Sequence, residues 1–475
     1  MQKISIYKPT CDEERIFLDL LTSFIAMYQD RLRQDNNTDF SQIKMEAISL
    51  INAGKTTLSW DQGKNGVELK HIKYVFVDEF QDFSELFRGL LLAILEVGQN
   101  SLVNAVGDNW QMINRFAGSM PELFDQFELD YPNPKTVYLQ TNYRSAGGLV
   151  EFCNAIMKAN GVADNPALPC IAKKNSHFRV IRLDRDQIDV TPREEHYFKA
   201  DRVLASIFRL FKPITESFPP DQRKDGDNIC FAISRTNHPP LQAKADDLAV
   251  TARSNREIIK GSVNRWTPNG VSRFFDSITG HKSKGLEADA VILLQPKQFP
   301  MIHQRSVFLQ FFGDTPDQLL RDELNLFYVS CSRAKSQLYF LPESGYMLSP
   351  FLDDLNNMIK TPLWSSFPCR LEKPSKLHNI IIQNGDRDPN ALLSARDLLI
   401  SFGFTSFRRP NQKPTRSQLV HLDYLSTLSY LQRVVDACAD FDLKYFILDG
   451  LNSEVFCLPG PKSIDQLLAK PGRVP

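Results

Sequence analysis

Apolar residues in the first fifty positions recur at helical spacing. The first such run starts at Asp12 and the second follows Asp39 and continues to about Ala53. A period near 3.6 residues places the apolar side chains on one face of each helix. A polar stretch with two glycines, Trp60 to Glu68, follows the second run. The pattern predicts a helical hairpin and then a break.

Short apolar runs and helix-like segments alternate in the next hundred residues. Tyr74 to Val77 lacks polar alternation, which is typical of a fully buried parallel strand. Further strands are predicted at Leu102–Val106 and Thr136–Leu139, and helices at Leu86–Leu95, Pro121–Phe127 and Gly148–Ala159. This alternation predicts an α/β sheet with parallel strands.

A similar alternation returns in the second half of the chain. Strands are predicted at Phe178–Leu183, Ile229–Ile233, Ala290–Leu294 and Gln337–Leu341, and a helix at Ala200–Phe211. After about Pro350 the composition shifts to joints that contain Pro and Lys, around possible strands at Ile380–Ile382 and Tyr445–Leu448. The predicted fold class is α/β, with two parallel-sheet domains and a small C-terminal α/β extension.

Composition limits how the chain can meet its partners. Lys plus Arg and Asp plus Glu both number 56 in 475 residues, so the formal net charge is zero and any nucleic-acid contact must be local. The eight cysteines are scattered singly, without the spacing of a zinc site or a disulfide framework. Charges interrupt every apolar run well before the roughly eighteen residues that a membrane helix needs. We therefore expect a cytoplasmic protein without a membrane partner.

Two adjacent carboxylates, Asp78 and Glu79, follow the predicted strand at Tyr74–Val77. One carboxylate can hold Mg²⁺ through its water shell, while a second can orient and deprotonate the water that attacks a γ-phosphate. An isolated Asp-Glu pair is more often the acidic cap of a helix. The surrounding segments decide between these interpretations.

A second polar segment, Val106–Gly118 (VGDNWQMINRFAG), also follows a predicted strand. Gln111 has the chemistry to sense a phosphate. Trp110 and Phe116 offer rings on which unpaired bases can stack. Packing in the core is the better interpretation for Trp110, whereas for Phe116 core packing and base stacking both stay open.

Three more segments complete an ordered set: Leu139–Ser145 (LQTNYRS), Ile278–Glu287 (ITGHKSKGLE) and Phe327–Lys335 (FYVSCSRAK). Together with Val77–Asp82 (VDEFQD) and Val106–Gly118, they resemble motifs II to VI of the UvrD/Rep-type superfamily one DNA helicases. Within that family the style of the VDEFQD and VGDNWQ segments is similar to helicase IV. The resemblance covers roughly residues 15 to 345.

The resemblance implies two RecA-like motor domains, the first incomplete, that bind ATP and Mg²⁺. By this likeness Asp78 binds Mg²⁺, Glu79 is the catalytic base, and Gln81 and Glu287 contact the nucleotide, with Glu287 at the ribose. The γ-phosphate is contacted by three further residues: Gln111, Arg144 and Arg333. The implied domains are a helical 1B-like remnant (1–70), the rest of the first motor domain (71–145), the second motor domain with little or no 2B insertion (146–345), and the extension (346–475).

The same likeness implies the partner and the direction of movement. It predicts 3′-to-5′ translocation on single-stranded DNA, or on DNA with a 3′ single-stranded tail. Phe116 and His281 are the candidate contacts to that strand.

One family element is missing from these 475 residues. Family members carry a phosphate-binding loop, GxxxxGK[ST], whose amides and lysine cradle phosphates. The nearest match ends in Gly54-Lys55-Thr56, but Ser49 stands where the first glycine is required and the segment closes a predicted helix. We therefore expect an N-terminally truncated motor, a partner protein that supplies the loop, or a chain that no longer hydrolyses ATP.

Smaller departures concern coupling to DNA. Asn114, Ala117 and Leu324-Asn325 stand where the family commonly has Tyr, Arg and two arginines. Two hypotheses follow from the sequence: an ATP-dependent DNA helicase, and a catalytically inactive DNA-binding or regulatory protein that keeps the helicase fold.

Overall fold

A computed structural model gives the structure of the chain. It describes residues 8–459, apart from 61–64, 99–100, 132, 163, 221–222, 225–226, 245–253, 267–271, 303–313, 344, 347, 369–377, 403, 408–414, 421–423 and 449–453. Among the described helices, none combines the length and the apolar character needed to span a bilayer.

Helices and strands alternate along most of the chain. The α-helices are α1 (Asp12–Gln34), α2 (Phe40–Asn52), α3 (Glu85–Val97), α4 (Pro121–Asp125), α5 (Phe127–Asp130), α6 (Gly147–Ala159), α7 (Pro192–Phe198), α8 (Arg202–Ser217), α9 (Asn255–Trp266), α10 (Pro316–Ser332), α11 (Ala391–Ser394), α12 (Arg396–Ser401) and α13 (Tyr424–Ala437). The strands are β1 (Thr57–Trp60), β2 (Asn65–Glu68), β3 (Tyr74–Val77), β4 (Leu102–Ala105), β5 (Thr141–Asn142), β6 (Leu168–Pro169), β7 (Arg179–Arg182), β8 (Cys230–Ser234), β9 (Phe275–Thr279), β10 (Ala288–Leu294), β11 (Ala334–Leu341), β12 (His378–Asn384), β13 (Thr405–Phe407), β14 (Thr415–Val420), β15 (Leu443–Leu448) and β16 (Glu454–Pro459).

The chain forms two compact units, and both are discontinuous in sequence. Unit 1 contains residues 1–176, 297–332 and 349–356. Unit 2 contains residues 177–296, 333–348 and 357–475. The sequence-based boundaries at 70, 145 and 345 remain a prediction about evolutionary domains, since compactness groups α6 and α10 with the N-terminal part.

Unit 1 begins with the helical hairpin that the sequence predicts. Helix α2 starts at Asp39, whose side chain accepts hydrogen bonds from the amides of Ser41 at 2.9 Å and Gln42 at 2.8 Å. Such a cap satisfies amides that have no partner inside the helix. The predicted hairpin is confirmed, although Leu18 is the one buried residue of α1.

Strands β3 and β4 pair in parallel, as predicted, but β3 is not fully buried. Val75 and Val77 face a core that includes Phe80, while Tyr74 and Phe76 are 61% and 77% exposed. The expectation of a fully buried strand is therefore wrong. An unbroken apolar run indicates that both faces of a strand are suited to burial. Burial itself also requires that another layer of the protein covers each face.

The strand expected at Thr136–Leu139 is also wrong, because these described residues form no strand. Val137 and Leu139 are 77% and 85% exposed. The nearest short strand is β5, which pairs in parallel with β6. Apolar residues alone do not make a strand, since strand geometry depends on hydrogen bonds to a neighbour.

Unit 2 contains the second parallel sheet that the sequence predicts. Its strand order is β7-β11-β10-β8-β9, and every neighbouring pair is parallel. All seven residues of β10 are buried, as expected for the central strand of a sheet covered on both faces. Helix α8 packs its apolar residues into the same core as β8 and β10.

The C-terminal part of unit 2 forms a separate five-stranded sheet, β13-β14-β12-β15-β16. All its neighbouring strands are antiparallel, a feature that the apolar pattern did not predict. Residues of α11, α12 and α13 share one core with β12 and β15. Phe404 is 1% exposed in that core.

Candidate nucleotide and DNA site

The acidic pair lies at the carboxyl end of β3, where the strand turns sharply. Glu79 adopts a left-handed backbone conformation with φ of 52°, and its amide donates a 2.8 Å hydrogen bond to Asp78 Oδ1. A non-glycine residue in this region is uncommon and its strain clusters at functional sites. Both side chains are exposed, so both carboxylates are accessible to a ligand.

Gln81 connects this turn to the end of β4. The residue is 1% exposed, its Nε2 donates to Glu79 Oε2, and its Oε1 accepts a 3.0 Å hydrogen bond from the amide of Asp108. A Cβ atom at Gly107 would lie 2.7 Å from Gln81 Oε1, so the absence of a side chain allows this approach. The bridge fixes Glu79 relative to the segment that follows β4.

Asp108 organises that segment, residues 108–118, which we call the sensor loop. Its Oδ1 accepts a 2.9 Å hydrogen bond from the amide of Trp110, and its Oδ2 accepts a 2.7 Å bond from Gln111 Nε2. Gln111 is thereby held beside the Gln81 bridge. The structure brings Asp78, Glu79, Gln81 and Gln111 into one hydrogen-bonded group.

The two rings of the sensor loop have opposite environments. Trp110 is 3% exposed and its ring meets that of Tyr328 edge-on at 5.3 Å between centroids, which confirms the core packing expected for it. Phe116 is 79% exposed. The core alternative for Phe116 is therefore wrong, and its role at DNA stays a prediction.

Arg144 is exposed and follows β5 in a turn organised by Asn142. The Asn142 Oδ1 accepts 2.9 Å hydrogen bonds from the amides of Arg144 and Ser145, a side-chain turn that fixes the backbone. Lys173 Nζ donates a 2.6 Å hydrogen bond to the Arg144 carbonyl. The backbone of Arg144 is thus positioned, while its side chain reaches the surface.

The remaining candidates lie in unit 2. Arg333 is 2% exposed, and its Nη1 donates to the Leu286 carbonyl at 3.3 Å. Glu287 forms a 2.6 Å ion pair with Lys335 and is 41% exposed. His281 is partly exposed in a short 3₁₀ turn after β9. Arg333 and Glu287 therefore belong to one local cluster in which the arginine is enclosed.

Lys55 does not lie in a phosphate-binding loop. It follows the end of α2, and its amide donates to the Leu50 carbonyl at 2.9 Å while that of Gly54 donates to Ile51. These amides satisfy the last carbonyls of a helix, where the helix dipole is negative. A phosphate group needs free amides at a positive helix N-terminus.

The side chains at β3 suit Mg²⁺ bound together with a nucleotide. The described residues contain no group of three or more His, Cys, Asp or Glu side chains able to hold a metal. Magnesium in nucleotide sites uses one or two carboxylates and takes its other ligands from phosphates and water. The exposed oxygens of Asp78 and Glu79 fit that requirement.

A partly buried charge cluster is formed around Arg115 of the sensor loop. Arg115 Nε donates a 2.9 Å hydrogen bond to Asp322 Oδ2 of α10, and its Nη1 lies 3.8 Å from Asp314 and 3.9 Å from Glu122. Burial raises the pKa of Asp322 to about 6, because desolvation outweighs the opposing charge of Arg115 and the nearby carboxylates of Asp314 and Glu323 add to the rise. The pairing with Arg115 is therefore weakened below pH 6.

This pKa predicts a pH-dependent contribution of Asp322 to stability. An unfolded Asp titrates near 3.9, so between that pH and 6 the folded state holds the extra proton. The stabilisation that comes from this extra proton is complete below about pH 4 and is lost as the pH rises through 6. We expect wild type to lose about 2 kcal/mol relative to Asp322→Asn between these limits. Urea denaturation of both chains across this range measures the difference, and equal pH profiles would contradict it.

Several of these residues were not found from the sequence. The sequence assigned no role to Asp108, Arg115 or Asp322. Each of them contacts a residue that lies far away in the chain, and the sequence alone does not indicate such a contact. The one available signal was the unusual Leu324-Asn325 pair, which marks α10 as departing from the family pattern.

Together these features define a class of protein: an α/β protein with an acidic site at the carboxyl end of parallel strands and a polar sensor loop beside it. Residues 3–132 match the UvrD/REP helicase N-terminal domain, and residues 276–344 match the UvrD-like helicase C-terminal domain. The chain is thus similar to UvrD/REP helicases in two separate stretches.

Individual relatives support the same family at modest identity. DNA helicase IV of Escherichia coli is 24% identical over 349 residues, which make up 72% of this chain and 42% of that protein. A probable DNA helicase of Mycoplasma pneumoniae is 26% identical over 67% of this chain and 51% of that protein. The ATP-dependent DNA helicase PcrA of Bacillus subtilis is 31% identical over 30% of this chain and 18% of that protein. The chain thus spans about half, or less, of the length of these relatives.

Proposed function

We propose that this chain acts as an ATP-dependent DNA helicase of the UvrD and helicase IV type, moving 3′ to 5′ on single-stranded DNA. The observation that carries the proposal is the Gln81 bridge. It joins the acidic turn at Glu79 to the sensor loop, which holds both Gln111 and the exposed ring of Phe116. A nucleotide site and a surface for bases are thereby linked within one unit.

In this proposal Asp78 holds Mg²⁺ and Glu79 accepts a proton from the attacking water. The metal ion supplies charge that stabilises the phosphates during transfer. Gln81 keeps the Glu79 carboxylate in place by its hydrogen bond. Gln111 exchanges its contact with Asp108 for one with the γ-phosphate, since both partners are anionic oxygens.

Arg144, Arg333 and Glu287 take the roles that the family resemblance implies. A guanidinium stabilises a transferring phosphoryl group through paired hydrogen bonds, which suits Arg144 and Arg333 at the γ-phosphate. Because Arg333 is 2% exposed, its role requires the surroundings of its side chain to open. Glu287 exchanges Lys335 for the ribose hydroxyls.

Single-stranded DNA, or DNA with a 3′ single-stranded tail, is the proposed substrate, and the cytoplasm is the proposed location. Phe116 stacks on a base, an interaction worth about 1–3 kcal/mol that tolerates any sequence. His281 contacts the same strand. The zero net charge favours such local contacts over a long-range field.

The proposal also requires a phosphate-binding loop outside these 475 residues, on the same polypeptide or supplied by a partner protein. One observation supports this requirement. The segment around Lys55, which is the one that resembles such a loop, donates its amides to the last carbonyls of α2. A phosphate bound there would meet the negative end of the helix.

The test is phosphate release by the chain together with the polypeptide that carries the phosphate-binding loop, with and without single-stranded DNA, followed by strand displacement on duplexes with a 3′ or a 5′ tail. We expect DNA to stimulate turnover and the 3′-tailed duplex alone to be unwound. Preference for the 5′ tail would overturn the direction of movement.

A catalytically inactive DNA-binding protein is the second candidate, and the closed helix end at Lys55 favours it. In that case the chain binds single-stranded DNA with an affinity that ATP does not change, and it releases no phosphate. The same assay therefore separates the two functions.

A further inference from the structure

The sensor loop is fixed to helix α10 by three residues at regular spacing. Asp322, Asn325 and Tyr328 lie three positions apart, so they share one face of the helix. We call them the α10 stripe. Each contacts the sensor loop, and all three lie within unit 1.

The contacts of the stripe use different chemistry. Asp322 accepts from Arg115 Nε at 2.9 Å, and Tyr328 meets the ring of Trp110 edge-on. Asn325 is 2% exposed, and its Nδ2 donates to the Met112 carbonyl at 3.1 Å. A charge pair, a ring contact and a side-chain bond to backbone thus hold the loop at three places.

These three places lie on both sides of Gln111 and next to Phe116. Trp110 and Met112 are the immediate neighbours of Gln111 in the chain, and Arg115 directly precedes Phe116, whose ring is exposed. On the opposite side the loop is bonded to the acidic turn through the Gln81 bridge. The stripe therefore bonds the residues around Gln111 to α10, and the Gln81 bridge bonds the start of the same loop to the acidic turn.

We propose that the α10 stripe positions the sensor loop, so that the nucleotide state met by Gln111 changes the DNA contact made by Phe116. The inference rests on the proposed function and adds the route of coupling to it. Asp322, Asn325 and Tyr328 are positioning residues, since they act through Arg115, Met112 and Trp110. Coupling carried by discrete packed and hydrogen-bonded contacts is the physical form that such a route takes.

The experiment measures the affinity of the whole chain, together with the polypeptide that carries the phosphate-binding loop, for a fluorescent oligo-dT strand, with and without a non-hydrolysable ATP analogue. In wild type we expect the analogue to change the affinity at least about fivefold, the low end of typical coupling between two sites. In Asp322→Ala we expect a change of less than twofold. The conservative Asp322→Glu keeps a carboxylate for Arg115 and restores most of the coupling.

Asp317→Ala is the matched control. Asp317 lies on the same helix but is exposed and outside the stripe, so its removal leaves the coupling unchanged. A second variant, Tyr328→Ala, breaks the ring contact without touching the charge cluster and also lowers the coupling.

The outcomes separate the two proposals. Wild-type coupling that survives in both Asp322→Ala and Tyr328→Ala overturns the stripe and leaves the proposed function intact. A wild-type chain that binds DNA equally with and without the analogue overturns the proposed function, and this inference with it.

Discussion

Glu79→Gln is expected to lower DNA-stimulated phosphate release by at least about 100-fold, the usual contribution of a general base. Glutamine matches the shape of glutamate and keeps an oxygen for the Gln81 hydrogen bond, so the turn after β3 is preserved. What is lost is the capacity to accept a proton from water. Steady-state phosphate release at saturating single-stranded DNA, with the phosphate-binding loop present, measures the change.

Two controls make that result specific. Glu96→Gln makes the same chemical change at an exposed position of α3 and leaves turnover unaffected. Lys55→Ala also leaves it unaffected, because Lys55 follows the closed end of α2. Turnover in Glu79→Gln within twofold of wild type would exclude Glu79 as the base, and a loss in Lys55→Ala would assign phosphate binding to Lys55.

Arg209→Met is expected to destabilise unit 2 by about 3–5 kcal/mol, the cost of leaving a buried charge without its partner. Arg209 Nε and Nη2 donate to the two oxygens of Glu194 at 2.7 and 2.6 Å, and the two side chains are 7% and 1% exposed. Burial by itself raises the pKa of Glu194, but the bonds and charge of Arg209 outweigh it, and the pKa lies below its usual value. Urea denaturation near neutral pH measures the loss.

A surface ion pair supplies the comparison for Arg209. Lys260 and Asp276 are 2.9 Å apart with side chains 47% and 34% exposed, so Lys260→Met costs less than about 1 kcal/mol. The double variant Glu194→Gln with Arg209→Met recovers part of the loss, since no charge stays buried. Equal losses for Arg209→Met and Lys260→Met would show that water reaches Glu194.

Local periodicity was sufficient for most helices and for the strands of the second sheet. The apolar run at Ala290–Leu294 predicted the last five residues of β10, and the recurring apolar positions after Asp39 predicted α2. Patterns of this kind report which faces of an element are suited to burial. The order of five polar segments was likewise sufficient to indicate the resemblance to UvrD/REP helicases, because each segment lies where its neighbouring strand begins or ends.

Periodicity was insufficient where burial depends on a second layer. The apolar pattern predicted Tyr74 and Phe76 of β3 as core residues, yet both are exposed. It also predicted a strand at Val137 and Leu139, which form none. Phe404 shows the reverse case, since a ring placed in a basic sequence is buried in the C-terminal core. The residues next to a side chain in the sequence do not determine which distant residues pack against it.

The sequence by itself determined the resemblance to UvrD/REP helicases, the α/β class and the identity of the acidic pair at the end of β3, because these depend on residue order and local spacing. Only the tertiary structure decided which residues meet across the chain: Gln81 reaches Asp108, and Arg115 reaches Asp322, 207 residues away. It also decided that Phe116 is open, Arg333 is enclosed and Lys55 closes a helix. Such contacts depend on the packing of distant elements, which no local pattern encodes.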